Sequence, residues 1–139
     1  MRALLDTSVL ISGNLQLDST FELAVASLSY AELQFGVSLP HLTAQQRAFR
    51  KTQLMRIMQR FGSGLPFDDS AATSYGIITE AVIRANQQVR HRAVDLLIAS
   101  IAHSQGAALV TENGSDFSCL TMIMGVLKPD GHAWVYPQT

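Results

Sequence analysis

"HRAVDLLIASIAH", His91 to His103, is apolar at most positions and spaced like a helix made for burial. Asp95 stands inside it. On a helix, the residues three, four and seven places on are Ile98, Ala99 and Ala102, which face a core. The Asp95 carboxylate therefore points inward near the helix start. A bland reading exists: an acid in the first turn complements the positive end of the helix dipole. A functional reading competes with it, because a buried carboxylate is costly unless something pairs with it.

Outward from this helix, a glycine stop at Gly106 leads into "AALVT" (Ala107–Thr111), a short run apolar on both faces. "RALLD" (Arg2–Asp6) and "ELAVAS" (Glu22–Ser27) are of the same kind. Such runs suit strands of a parallel sheet covered by helices on both sides. "GLPF" (Gly64–Phe67) is a weaker strand, and "AWVY" (Ala133–Tyr136) reads as a last edge strand. Helical patterns lie between them. "SVLISG" is stopped by Gly13, and Ser29 to Val37 ends near Pro40. Thr43–Phe61 is long and amphipathic, with Phe49, Leu54, Ile57, Met58 and Phe61 on its apolar side, and Asp69–Gln88 follows. The alternation predicts an α/β domain with a mainly parallel sheet of about four to five strands. Asn14–Thr20 and Gly125–Gly131 read as surface loops. No repeat or linker interrupts the chain, so residues 1–139 are expected to form a single domain.

Composition excludes several classes. The formal net charge is −1, so no overall basic field announces a nucleic acid, and any such contact must be local. A lone cysteine, Cys119, rules out an internal disulfide framework and suits a reducing cytoplasm. "MRALLDTS" is too short an apolar run for a signal peptide, and no stretch reaches the length of a membrane span. A cytoplasmic location without membrane attachment is expected.

Three more acids fall at telling places. Asp6 closes the first strand, at the sheet edge where ligands of open parallel sheets bind; alone it also reads as a helix cap. Glu32 follows the second strand, and "SYAE" (Ser29–Glu32) also matches a capping box. Asp116, in "VTENGSDF", follows the strand that ends at Thr111, and is a plausible loop or cap acid beside the turn residue Asn113. Together with Asp95 these acids gather at one sheet edge. Carboxylates that close repel and take up protons unless a cation neutralises them. Oxygen ligands favour a hard divalent ion, Mg²⁺ or Mn²⁺, over zinc. His41, His91, His103 and His132 are scattered and make no zinc spacing.

"LLDTSVLI", "SLSYAELQFGV", "LPFDDSAATSYG" and "HRAVDLLIASIAHSQGAALVTENGSDF", in that order, resemble the PIN-domain family, and within it the VapC toxins of bacterial VapBC toxin–antitoxin pairs. The likeness spans nearly the whole chain. It implies a PIN-like three-layer α/β/α domain and Mg²⁺-dependent endoribonuclease activity (with Mn²⁺ as a possible substitute) on cellular RNA such as tRNA or rRNA. It implies the toxin role in a type II toxin–antitoxin pair, a cognate VapB-type antitoxin that inhibits it, and a homodimer. By motif, the family's metal ligands carry over to Asp6, Glu32, Asp95 and Asp116, which are also the catalytic set, with Thr7, Ser8 and Asn113 as supporting polar groups. Two departures stand out: Glu112 occupies a position often basic in the family, and the tail from Cys119 aligns poorly.

An acid-lined pocket needs cations to guide a polyanion. "RANQQVRHR" supplies Arg84, Arg90 and Arg92 with His91 just before Asp95, the favoured RNA-backbone clamp; solvated loop charge is the competing reading. Arg47, Arg50, Lys51, Arg56 and Arg60 spread around the long helix and read as a solvated face. Trp134 and Tyr136 read as packing residues rather than base-stacking ones. Three other functions remain open at this level: a PIN-like RNA-processing or DNA nuclease, a metal-free scaffold or binding domain, and a phosphotransfer domain. The last needs a lysine following a strand, and Lys51 and Lys128, the only lysines, do not.

Overall fold

The computed structural model describes residues 1–135. Strand β1 (Arg2–Leu5) is followed by a short helix α1 (Thr7–Ser12), β2 (Glu22–Val25), α2 (Ser27–Ser38), α3 (Ala44–Phe61) and α4 (Asp69–Arg84). A 3-10 turn over Arg90–Arg92 leads into α5 (Ala93–Ser104), then β3 (Ala108–Val110), a 3-10 helix (Gly114–Leu120) and β4 (Val126–Leu127).

All pairings in the four-stranded sheet are parallel, in the order β2-β1-β3-β4. Leu4 registers with Ala24 and Leu109, and Leu5 with Val25 and Val110. Strand alternation then sorts side chains to two faces. Leu4 and Leu109 join one apolar cluster with Ile78 and Val82 of α4 and Ile98 and Ala99 of α5. Ala3, Leu5 and Val110 join another with Val9 and Leu10 of α1 and Ile57 of α3. Helices thus cover both faces of the sheet, which is why its strands are apolar on both sides. Among the described residues no helix is long and apolar enough to cross a membrane.

Several boundaries differ from the sequence reading. "GLPF" forms no strand: Leu65 alone makes a parallel bridge to Ala26, and Pro66 has no N–H to continue it. β4 instead lies in the expected loop Gly125–Gly131, so that Lys128, contrary to the sequence reading, directly follows a strand. Of the expected edge strand, Ala133 makes an isolated antiparallel bridge to Leu127, while Tyr136 lies outside the described residues. Helix α2 starts at Ser27 with Ala26 as its cap residue, so Ser29 is already inside the helix and the capping box does not form. α4 stops at Arg84, short of Gln88, and Asn86 takes the left-handed φ of 60° just beyond. On α3, Leu54 and Ile57 are buried and Phe61 partly so, but Phe49 is 70% exposed and Met58 41%. Two of the five residues of that apolar stripe therefore face away from the core.

Leu4→Ala, which removes a fully buried side chain at the sheet centre, should cost about 2–5 kcal/mol in urea unfolding. Phe49→Ala should stay within about 0.5 kcal/mol of wild type, being exposed.

Candidate functional site

β1 sits between β2 and β3, so the chain leaves it in one direction and returns on the other side. A crevice opens at such a reversal, beyond the carboxyl ends of the strands. The Asp6 N–H bonds the Val110 carbonyl at 2.8 Å, which carries the β1–β3 ladder one residue further and sets Asp6 beside Thr111. Asp6 is buried, 3% exposed. Its backbone carbonyl begins α1, accepting from Val9 and Leu10, but its side chain caps nothing. Instead Oδ2 accepts from the hydroxyls of Ser8 and Thr111, each at 2.9 Å. Among the described residues, Oδ1 is buried without a hydrogen-bond partner. A carboxylate oxygen in that state is costly unless a cation faces it.

Glu32 projects from the second turn of α2. Its Oε1 accepts from the Thr7 hydroxyl at 2.6 Å, and Thr7 Oγ1 also lies 3.0 Å from the buried Ser29 hydroxyl. This contact explains Ser29, which the sequence reading took for a cap. Asp95 stands in the first turn of α5, half-buried. Burial pushes its carboxyl up to about 6 from an ordinary 3.8, and the charges of Asp6, Glu32 and Asp116 push the same way. The Arg92 guanidinium opposes them. Asp116 is exposed on the 3-10 helix after β3.

The fold therefore brings Asp6, Glu32 and Asp116 into electrostatic reach of Asp95. Among the described residues no three acid, imidazole or thiol groups already converge at ligand distance. Repulsion between ionised carboxylates favours such an open arrangement. The donor set is nonetheless oxygen-only and anionic, with an unpaired oxygen at its most buried member. It fits a hard divalent cation, and Asp6, Asp95, Glu32 and Asp116 are the groups that could hold one.

The supporting residues divide. Thr7 and Ser8 orient Glu32 and Asp6 directly. Asn113 acts through its backbone N–H, which donates to Thr111 Oγ1 at 3.0 Å, while the residue itself is exposed. Glu112 accepts from Ser12 and ties α1 to the end of β3. Thr111, fully buried, was missed by sequence reasoning. A signal was there: it ends "ALVT" as Asp6 ends "ALLD", a polar residue closing an apolar strand. The arginines also divide. Arg84 pairs with Glu80 at 2.6 Å on the surface. Arg92 donates to Gln87 at 2.7 Å and has Nε and Nη2 buried, turned inward rather than to solvent. Arg90 is exposed.

No protein-family model matches the sequence, and no curated protein does. Solved structures do. A VapBC toxin–antitoxin system member, VapBC-5 from Mycobacterium tuberculosis, has a chain that matches with 30% identity and a TM-score of 0.72, over 91% of this chain and 96% of that one. VapBC2 from Rickettsia felis, bound to a promoter DNA fragment, matches at 22% identity and TM-score 0.73, over 92% and 98%. FitAcB from Neisseria gonorrhoeae matches at 24% and 0.71, over 91% and 97%. The chain belongs to the PIN-domain family, with the VapC proteins of VapBC pairs as its kin.

A carboxyl held above its unfolded value gives stability that is full below pH 3.8 and is lost as pH rises through about 6. For half-exposed Asp95 the loss should be about 1–2 kcal/mol after screening by water. Metal-free protein should therefore melt lower at pH 7 than at pH 4.5, and Asp95→Asn should flatten that slope and raise the pH 7 melting temperature. Calorimetric scans across this range check both.

Proposed function

We infer that the chain is the toxin of a type II toxin–antitoxin pair: a Mg²⁺-dependent endoribonuclease that cleaves cellular RNA in the cytoplasm and is silenced by a VapB-type antitoxin. The observation that carries this reading is the buried Asp6 Oδ1, without a hydrogen-bond partner among the described residues, at a sheet mouth where Asp6, Glu32 and Asp116 all act against the charge of Asp95. Similarity to the VapBC structures supports the toxin role.

Asp6 and Asp95 would hold the ion directly, with Asp116 completing the set; Mn²⁺ would substitute. When bound, the ion supplies positive charge to a phosphate oxygen and acidifies water. The hydroxyls of Ser8 and Thr111 fix the rotamer of Asp6 by loading both their bonds on Oδ2, which leaves Oδ1 for the cation. Thr7 fixes Glu32 in the same way through Oε1, so that Oε2 is left to accept the proton of the attacking water. Arg90, exposed before α5, would draw the RNA backbone toward the acids.

A groove of about 670 Å³ runs between α1 and α3, lined by Leu10, Leu15, Phe49, Ile57 and Phe61, with Arg56 and Arg60 among its walls. Its chemistry suits an amphipathic, acidic antitoxin segment. Met55 and Met58, exposed on α3, offer a face to a second copy in a homodimer.

Purified chain incubated with total RNA and Mg²⁺ should cleave it, and EDTA should stop the reaction. Asp6→Asn and Asp95→Asn should lower the rate by about 10²-fold or more while remaining folded. Equal cleavage of single-stranded DNA would point to a less selective nuclease. A folded wild type that cleaves nothing and binds no Mg²⁺ would point to a scaffold.

A further inference from the structure

After β4 the chain doubles back. The Lys128 N–H donates to the His132 carbonyl at 2.8 Å, and Ala133 bridges Leu127. The Trp134 N–H then bonds the Val126 carbonyl at 3.0 Å. This return lays the Trp134 indole over the segment that joins β3 to Asp116. Its Nε1–H donates to the Thr111 carbonyl at 3.1 Å. Its ring packs so closely on Gly114 that an added Cβ would lie 2.1 Å from ring atom Cδ2. Gly114 does not have a left-handed φ, so room for the indole is what requires glycine there. The Lys128 ammonium, 5.2 Å from the ring centroid, holds the indole further.

Thr111 is where this contact meets the acids. Its carbonyl accepts from the indole, while its hydroxyl donates to Asp6 Oδ2 at 2.9 Å and accepts from the Asn113 N–H at 3.0 Å. Gly114 lies two residues before Asp116, the most exposed of the four acids. The indole touches both ends of the stretch 111–114 that leads to it.

We propose that Trp134 is a positioning residue for the acid cluster: by clamping residues 111–114 it sets where Asp6 and Asp116 stand toward a bound divalent ion. The proposal rests on the metal-dependent reading above. It assigns the returning tail a role in the site, through contacts with backbone rather than with substrate.

Trp134 is the chain's only tryptophan, so tryptophan emission reports on this indole alone. Saturating Mg²⁺ should change the emission of the wild-type chain, and Asp116→Asn should reduce the change. Trp134→Phe keeps a ring but loses the indole N–H; Gly114→Ala keeps the indole and displaces it. Each should weaken Mn²⁺ binding by about tenfold in calorimetry, as loss of a group that orients a ligand does. Because both remove one clamp, the double variant should bind little more weakly than either. Melting temperatures without metal should show folded variants. Wild-type Mn²⁺ affinity in both folded variants would overturn the proposal. So would wild-type emission that ignores Mg²⁺ while calorimetry records binding, a result obtainable even if neither variant folds. A wild type that binds neither ion in calorimetry overturns the metal reading itself, and this proposal with it.

Discussion

One buried carboxylate organises this molecule. Among the described residues, Asp6 takes two hydroxyl donors on one oxygen and none on the other. Each donor belongs to a different part of the fold: Ser8 to the helix that leaves β1, Thr111 to the strand beside it. The asymmetry fixes the side chain while leaving its second oxygen open. A symmetric arrangement with donors on both oxygens would be more stable in isolation and could do less. The position therefore trades stability for readiness, as functional sites in folded proteins commonly do.

The same trade extends to its neighbours. Asp95 lies half-buried, with three other acids acting against its ionisation and only Arg92 acting for it. A core built for stability alone would place an apolar residue in the first turn of α5. The surrounding frame can carry this cost because it is otherwise apolar and buried. Ile98, Ala99, Ile101 and Ala102 on the same helix are fully buried.

Much of this was legible in the sequence, for identifiable reasons. β1, β2 and β3 are apolar on both faces and so announced a covered parallel sheet. Acids directly after such strands, or at the start of a buried helix, announced the carboxyl edge. β4 was hidden because its ladder needs only Val126 and Leu127, inside a stretch rich in turn residues. The α3 stripe misled because periodicity records an amphipathic face and not what covers it: Phe49 has the right spacing yet lies open. Ser29 and Thr111 escaped because hydroxyls serve caps and turns so often that only their neighbours in space reveal another task. The inward turn of Arg92 was invisible for the same reason, since charge in a loop does not state which way it points.

The position of β1 in the sheet has a bearing on how the molecule comes into being. β1 meets β2 after a short excursion of chain, whereas its seam with β3 joins Leu5 to Val110 across most of the sequence. Contacts so far apart close late, because a long loop must lose its freedom first. The crevice is that seam. A polypeptide still being synthesised would carry its two lips separately, and the chemistry housed between them would wait on the slowest-forming seam of the sheet.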